Sequence, residues 1–122
     1  TAVMGDVASN IAKLFAAING RNLPDLGDLC ADDVVFRFPK TAPLEGRERV
    51  VRFMNVLLRR FPTLQFTVGR IAEGADRGAA EWTNSGADRS GTPYANEGVT
   101  FFEFRNGQIV YMSDTFKDTS LF

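Results

Sequence analysis

Between Gln65 and Phe116 the chain runs through four period-two segments in succession, with no helical pattern between them. Gln65–Ile71, Ala79–Ser85, Tyr94–Phe104 and Gln108–Phe116 read as strands, bounded by the turn-rich stretches Gly74–Gly78, Gly86–Pro93 and Asn106–Gly107. Asn-Gly is a strong tight-turn signal between two strands. Parallel neighbours need long crossover connections, so four strands joined by short turns point to antiparallel pairing and away from βαβ winding.

The first half is helical with one interruption. Ile11, Leu14, Phe15 and Ile18 fall at i, i+3, i+4 and i+7, which predicts one apolar helical face over residues 7–19, with Asp6 or Ser9 as cap and Gly20 as stop. Pro24 opens a short second helix carrying Leu26, Leu29 and Cys30, and Asp32 and Asp33 break that pattern. From Val34 to Pro39 the residues alternate, with Val34, Phe36 and Phe38 on one side. A loop from Thr41 to Gly46 leads to a long helix marked by Val50, Phe53, Met54, Leu57, Leu58 and Phe61 and closed by Pro62. The expectation is an α+β fold in which a strongly curved, mostly antiparallel sheet wraps around three N-terminal helices. At 122 residues, one domain spanning 1–122 is expected, with no room for two cores.

Absences narrow the chemistry. The chain has no histidine, which removes Ser-His-Asp and Cys-His nucleophilic systems and histidine-held metals. Cys30 is alone, so neither an intrachain disulfide nor a thiolate pair for zinc is available, and no metal site is expected. Fourteen basic residues stand against 15 acidic ones, leaving no excess to attract nucleic acid or an anionic membrane. Arg47, Arg49, Arg52, Arg59 and Arg60 on the long helix read as a solvated face. No apolar run is long enough to span a bilayer, TAVMGDVASN lacks the pattern of a signal peptide, and a cytoplasmic setting is the expectation. No phosphate-cradling glycine loop is present, and no cofactor is expected.

Three stretches then carry a resemblance. CADDVVFRFPKTAPLEGRERVVRF (residues 30–53), GAAEWTNSG, and the ending EGVTFFEFRNGQIVYMSDTF resemble, in order and spacing, the SnoaL-like branch of the nuclear-transport-factor-two-like superfamily. The resemblance implies a cone-shaped α+β barrel of the cystatin-like superfold, an interior pocket and a homodimer. It does not fix a reaction. The positions where a ketosteroid isomerase would carry its tyrosine, base and acidic donor hold Leu14, Phe38 and Thr100. Those where a limonene-epoxide hydrolase would carry Arg, Asp and Asp hold Glu81, Thr83 and Asp114, so only the last survives. SnoaL-type cyclases use an acidic residue on the final strand as acid-base catalyst, a place that Asp114 occupies.

Asp114 is accordingly the first candidate catalytic residue. Alternation sets it among Val110, Met112 and Phe116, an apolar face that raises a carboxyl pKa toward neutrality. Glu81 is the second candidate. The family alignment turns it inward, where it could share a proton with Asp114, whereas hydrophobic alternation turns Trp82 inward instead. Eleven phenylalanines supply a lining: Phe36, Phe38, Phe102 and Phe104 share the concave parity, and Phe15 and Phe53 come from covering helices. Thr100, Asn96, Met112 and Phe116 complete the expected pocket, which suits an apolar, cyclic small molecule. Val99, Phe101 and Tyr111, with Trp82 as an addition, form an outward apolar set that predicts a homodimer. Two functional readings follow: a cofactor-independent isomerase, cyclase or hydratase using Asp114, or a non-catalytic ligand-binding or scaffold module with the same pocket.

Overall fold

A computed structural model describes residues 6–122; the reading of the first five residues as no part of a leader lies outside it. The elements run α1 (Asp6–Asn19), α2 (Leu23–Leu29), β1 (Cys30–Arg37), β2 (Leu44–Glu45), α3 (Arg47–Arg60), β3 (Gln65–Glu73), β4 (Arg77–Ala87), β5 (Pro93–Arg105) and β6 (Gln108–Phe116). The six strands form one unclosed, curved sheet in the order β2-β1-β6-β5-β4-β3. Every pairing is antiparallel except β1 with β6, which is parallel. That exception is reachable because the whole of α3 and four strands lie between the two, which is ample chain for a crossover.

Three irregularities bend the ladder, in the β1/β6, β3/β4 and β5/β6 pairings. Each extra residue increases local twist and turns the sheet further around the helices. The bulge on β6 also changes a parity. Glu103 pairs with Tyr111 and Phe104 with Ile109, so Val110 is the extra residue. Ile109, fully buried, therefore occupies the inner face where unbroken alternation puts Val110.

Two boundaries move. The short helix stops at Leu29, and Cys30, Asp32 and Asp33 belong to β1 rather than to a helix and its breaker. Alternation breaks there: Cys30 and Ala31 are both buried and the next two residues both exposed, and each aspartate finds an arginine, Asp32 with Arg47 at 2.9 Å and Asp33 with Arg105 at 2.7 Å. The expected loop Thr41–Gly46 contains the two-residue β2, paired to Val35 and Phe36.

The apolar faces of α1 and α3 meet the concave face of the sheet. Ile11, Leu14, Phe15 and Ile18 are buried from α1, and Val50, Met54 and Leu58 from α3. Asn19, the last residue of α1, accepts from the Phe66 N–H at 2.8 Å and donates to the Phe66 carbonyl at 2.9 Å. One amide side chain thus imitates a strand neighbour and occupies part of the β3 edge. Arg21 fixes the segment leading into the same end of β3 by donating to the carbonyls of Leu64 (2.6 Å) and Pro62 (3.0 Å).

Candidate functional site

Where helices and sheet fail to close completely, they leave a hollow of about 40 Å³. It holds roughly three water molecules, or part of a small ring. Its wall is almost wholly apolar, with Phe15 and Leu14 from α1, Met54 and Leu57 from α3, and Phe36 from β1. Phe122 packs on Phe38, Phe116 and Tyr94 with ring centroids 5.2, 5.6 and 6.2 Å apart, so the C-terminal segment contributes to the wall as well. The Arg60 guanidinium lies 5.1 Å from the Phe122 ring and donates to the Leu121 carbonyl at 2.9 Å, which holds that segment in place.

Four polar side chains reach this wall: Asn84, Tyr94, Thr100 and Asp114. Strand register explains three of them. Trp82 lies across from Gly98 and Ala80 across from Thr100, while Thr100 lies across from Asp114, so β4, β5 and β6 present one diagonal of inward residues. Along it runs a directed hydrogen-bond chain. The Trp82 Nε1–H donates to Thr100 Oγ1 at 2.9 Å, and Thr100 donates to Asp114 Oδ1 at 2.6 Å. Indole nitrogen can only donate, so the Thr100 oxygen accepts from Trp82 and its single hydrogen goes to Asp114. Oδ1 is thereby an acceptor. A proton on Asp114 then sits on Oδ2, which has no protein partner among the described residues.

No cation compensates the Asp114 carboxylate among the described residues. Burial pushes its pKa from 3.8 up to about 7, and the Thr100 hydrogen bond, the smaller influence, pulls in the other direction. Replacing Thr100 by Val removes that downward pull, so the Asp114 midpoint rises by about one further pH unit, while Thr100→Ser leaves it in place. Carboxyl-carbon NMR titration of the two variants reads the difference directly.

The structure turns Trp82 inward, 5% exposed, and Glu81 outward, where it pairs with Arg70. The inward placement of Glu81 beside Asp114 is therefore corrected: β4 alternates regularly here, and a bulky indole at Trp82 takes the core side. Arg70 holds the Glu81 carboxyl below its ordinary range, which leaves it ionised in water. Trp82 likewise leaves the expected outer apolar set.

Of the expected pocket residues, Phe15, Phe36, Phe38, Thr100, Met112 and Phe116 line the hollow together with Asp114. Phe53 and Phe102 do not. Phe53 backs the wall, 4.8 Å from the Phe38 ring, and Phe102 is fully buried against Phe15 and Phe104. Asn96 is also absent from the wall: its amide donates to the Asp118 carbonyl at 2.7 Å and to Tyr94 Oη, and accepts from the Asp118 and Glu97 N–H groups. Asn84 and Phe122 were missed, and Tyr94, which residue type alone offers as a possible acid, also lines the hollow. The inward parity of Trp82 carries Asn84 with it, and that parity was the available signal.

Among the described residues no three carboxyl or thiol groups gather where a cation could be held. Cys30 is buried with its thiol pushed up to about 11, too weakly acidic to act as a nucleophile.

Comparison with known proteins places this geometry. The family model for the SnoaL-like domain matches residues 11–112. Among solved structures, a SnoaL-like polyketide cyclase, so described provisionally, from Jannaschia sp. CCS1 superposes with TM-score 0.84 at 19% identity, covering 96% of this chain and 92% of its own. An NTF2-like protein of unknown function from Burkholderia pseudomallei gives 0.85 at 19% identity over 93% and 92%. A ketosteroid isomerase-like fold from Catenulispora acidiphila, solved in complex with trimethylamine, gives 0.82 at 22% over 91% and 87%. At these identities the likeness to solved structures shows the fold. A comparison with curated proteins found no significant match.

Proposed function

The chain belongs to the SnoaL-like domain family, and from that premise we propose that it binds a small apolar ring compound in the hollow and moves a proton on it with Asp114, without a cofactor. The observation that supports this reading is a carboxyl on an apolar wall, with one oxygen held by Thr100 and the other free of partners among the described residues. A pKa of about 7 keeps both protonation states populated at neutral pH, which is what a general acid-base group needs. Ionised Oδ2 takes a proton from a carbon beside a ring carbonyl, giving the enolate, or the enol when water protonates the carbonyl oxygen. Protonated Oδ2 returns it to the same carbon or to a conjugated one, and the bond electrons shift within the ring system. Isomerisation and cyclisation both need that step.

Trp82 and Thr100 act as positioning residues. Their hydrogen-bond chain engages Oδ1 of Asp114 and leaves Oδ2 as the oxygen that exchanges the proton. Hydrogen–deuterium exchange of 2-cyclohexenone in D₂O tests the proposal without knowledge of the natural substrate. Protein-dependent exchange that rises with a midpoint near pH 7 supports it; exchange no faster than in buffer rejects it.

We also propose a homodimer through the outer face of β5 and β6. Val99 and Phe101 are 40% and 37% exposed, and Phe101 packs on Tyr111 at 6.1 Å, so an apolar strip faces outward. Leaving it in water costs about 25 cal/mol per Å². Sedimentation equilibrium at micromolar concentration is expected to give twice 13.5 kDa, and Phe101→Glu to give the single-chain mass. A single-chain mass for the unmodified protein removes this proposal.

A further inference from the structure

Among the described residues three buried polar side chains face the interior: Asn84, Asn96 and Thr100. Thr100 is used in both directions and Asn96 makes four hydrogen bonds. Asn84 is the exception. It lies directly across from Asn96 in the β4/β5 register, is 8% exposed, and its Oδ1 is buried without a hydrogen-bond partner among the described residues. It also lines the hollow. Two cross-strand asparagines thus differ in use: one secures the C-terminal segment, while the other offers an unused amide to whatever occupies the interior.

A buried amide without a partner opposes folding, and an apolar residue of the same size would remove that cost. We infer that Asn84 reads the ligand: its amide oxygen accepts a hydrogen bond from a hydroxyl on a small ring compound held in the hollow. The inference rests on the reading that the hollow takes such a compound and names the class, a ring carrying a hydroxyl donor, of which the enol of a cyclic ketone is one member and phenol a stable mimic. At about 40 Å³ the hollow takes only part of a ring as it stands, so a single ring must displace some of the wall and a fused polycycle far more of it. Tyr94 is a poorer reader because its hydroxyl already accepts from Asn96 at 3.0 Å.

Phenol and toluene have the same heavy-atom count and differ in the donor alone. An apolar cavity prefers toluene, because phenol surrenders a hydrogen bond to water on entry. The informative quantity is therefore the change in the phenol-to-toluene affinity ratio, measured by ligand-observed NMR on the unmodified protein and on Asn84→Leu. The ratio is expected to fall at least tenfold in Asn84→Leu, and equally in Asn84→Ala should the larger side chain impair folding. A thermal midpoint for Asn84→Leu at or above the parent's shows that the loss is not unfolding.

An unchanged ratio overturns the inference, as does failure of phenol to bind the unmodified protein at millimolar concentration. A ratio that collapses in Asp114→Asn but holds in Asn84→Leu also overturns it, since Asp114 would then be the reader. The proton-transfer reading fails separately. An Asp114 midpoint near 4 in the same NMR samples would end it while leaving the phenol preference of Asn84 intact.

Discussion

Asp114→Asn is expected to abolish cyclohexenone exchange above background, a loss of at least about 100-fold, and at the same time to make the protein more stable at pH 8. The two results share one cause. Asparagine keeps the shape of the side chain and an oxygen for Thr100 to bond, while removing both the titrating proton and the buried charge. For stability the sign follows from proton counting. The folded pKa of about 7 lies above the ordinary 3.8, so between those values the native state holds a proton that the unfolded chain has lost. This contribution is fully present below about pH 4, declines as pH rises, and is gone above about pH 7. A displacement of that size corresponds to about 4 kcal/mol.

Urea denaturation of both proteins from pH 4 to pH 8 reads the difference. The parent should lose stability across that range relative to Asp114→Asn, and the curves should run parallel above pH 8. Asp33, Glu81, Asp88 and Asp118 are shifted the other way by their hydrogen bonds, so their contribution is lost as pH falls through their lowered values. They are common to both proteins and cancel in the difference. Parallel curves from pH 4 upward would mean that Asp114 titrates as an ordinary carboxyl, and the proposed acid-base role would go with it.

Gly98→Ala is expected to cost about 3 kcal/mol or more, a large loss for a single methyl group. Gly98 sits in the middle of the inward row between Trp82 on β4 and Phe116 on β6. The Trp82 and Phe116 rings approach to 6.1 Å over it, which forms one wall of the hollow. A β-carbon at this position would stand 2.3 Å from the Thr115 carbonyl oxygen and 2.7 Å from the Phe116 β-carbon. Neither is the movable end of a flexible side chain. Strand β5 or β6 must shift, and Phe116 with it. A denaturation midpoint within about 0.5 kcal/mol of the parent would show that the sheet yields here and that the curvature is not held by this contact.

Local pattern carried most of the architecture. The four C-terminal strands, the apolar face of α1 and the long helix were all legible because period two and period 3.6 are imposed by backbone geometry and survive in any context. The boundary at Cys30 was not legible, because Leu26, Leu29 and Cys30 suit a helix as well as a strand start, and only pairing of Cys30 with Ile109 decided between them. Val110 failed for a related reason: a bulge is invisible to alternation, and its position is set by the partner strand. Trp82 and Glu81 show a third kind of limit. Alternation favoured the indole inside and the alignment favoured the acid, and packing settled the matter through the Thr100 hydroxyl that receives the indole N–H.

By itself the sequence determined an α+β chain with consecutive antiparallel strands, a phenylalanine-rich interior, no histidine chemistry, and an acid on the last strand in an apolar setting. Tertiary structure alone decided that, among the described residues, Thr100 is the one hydrogen-bond partner of this acid's carboxyl, that Glu81 pairs with Arg70, and that Asn84 faces the hollow unpaired while Asn96 is fully used. The reason is physical. Which side of the chain is apolar is written in residue order, whereas the partner of a polar group depends on atoms brought together from strands far apart in that order.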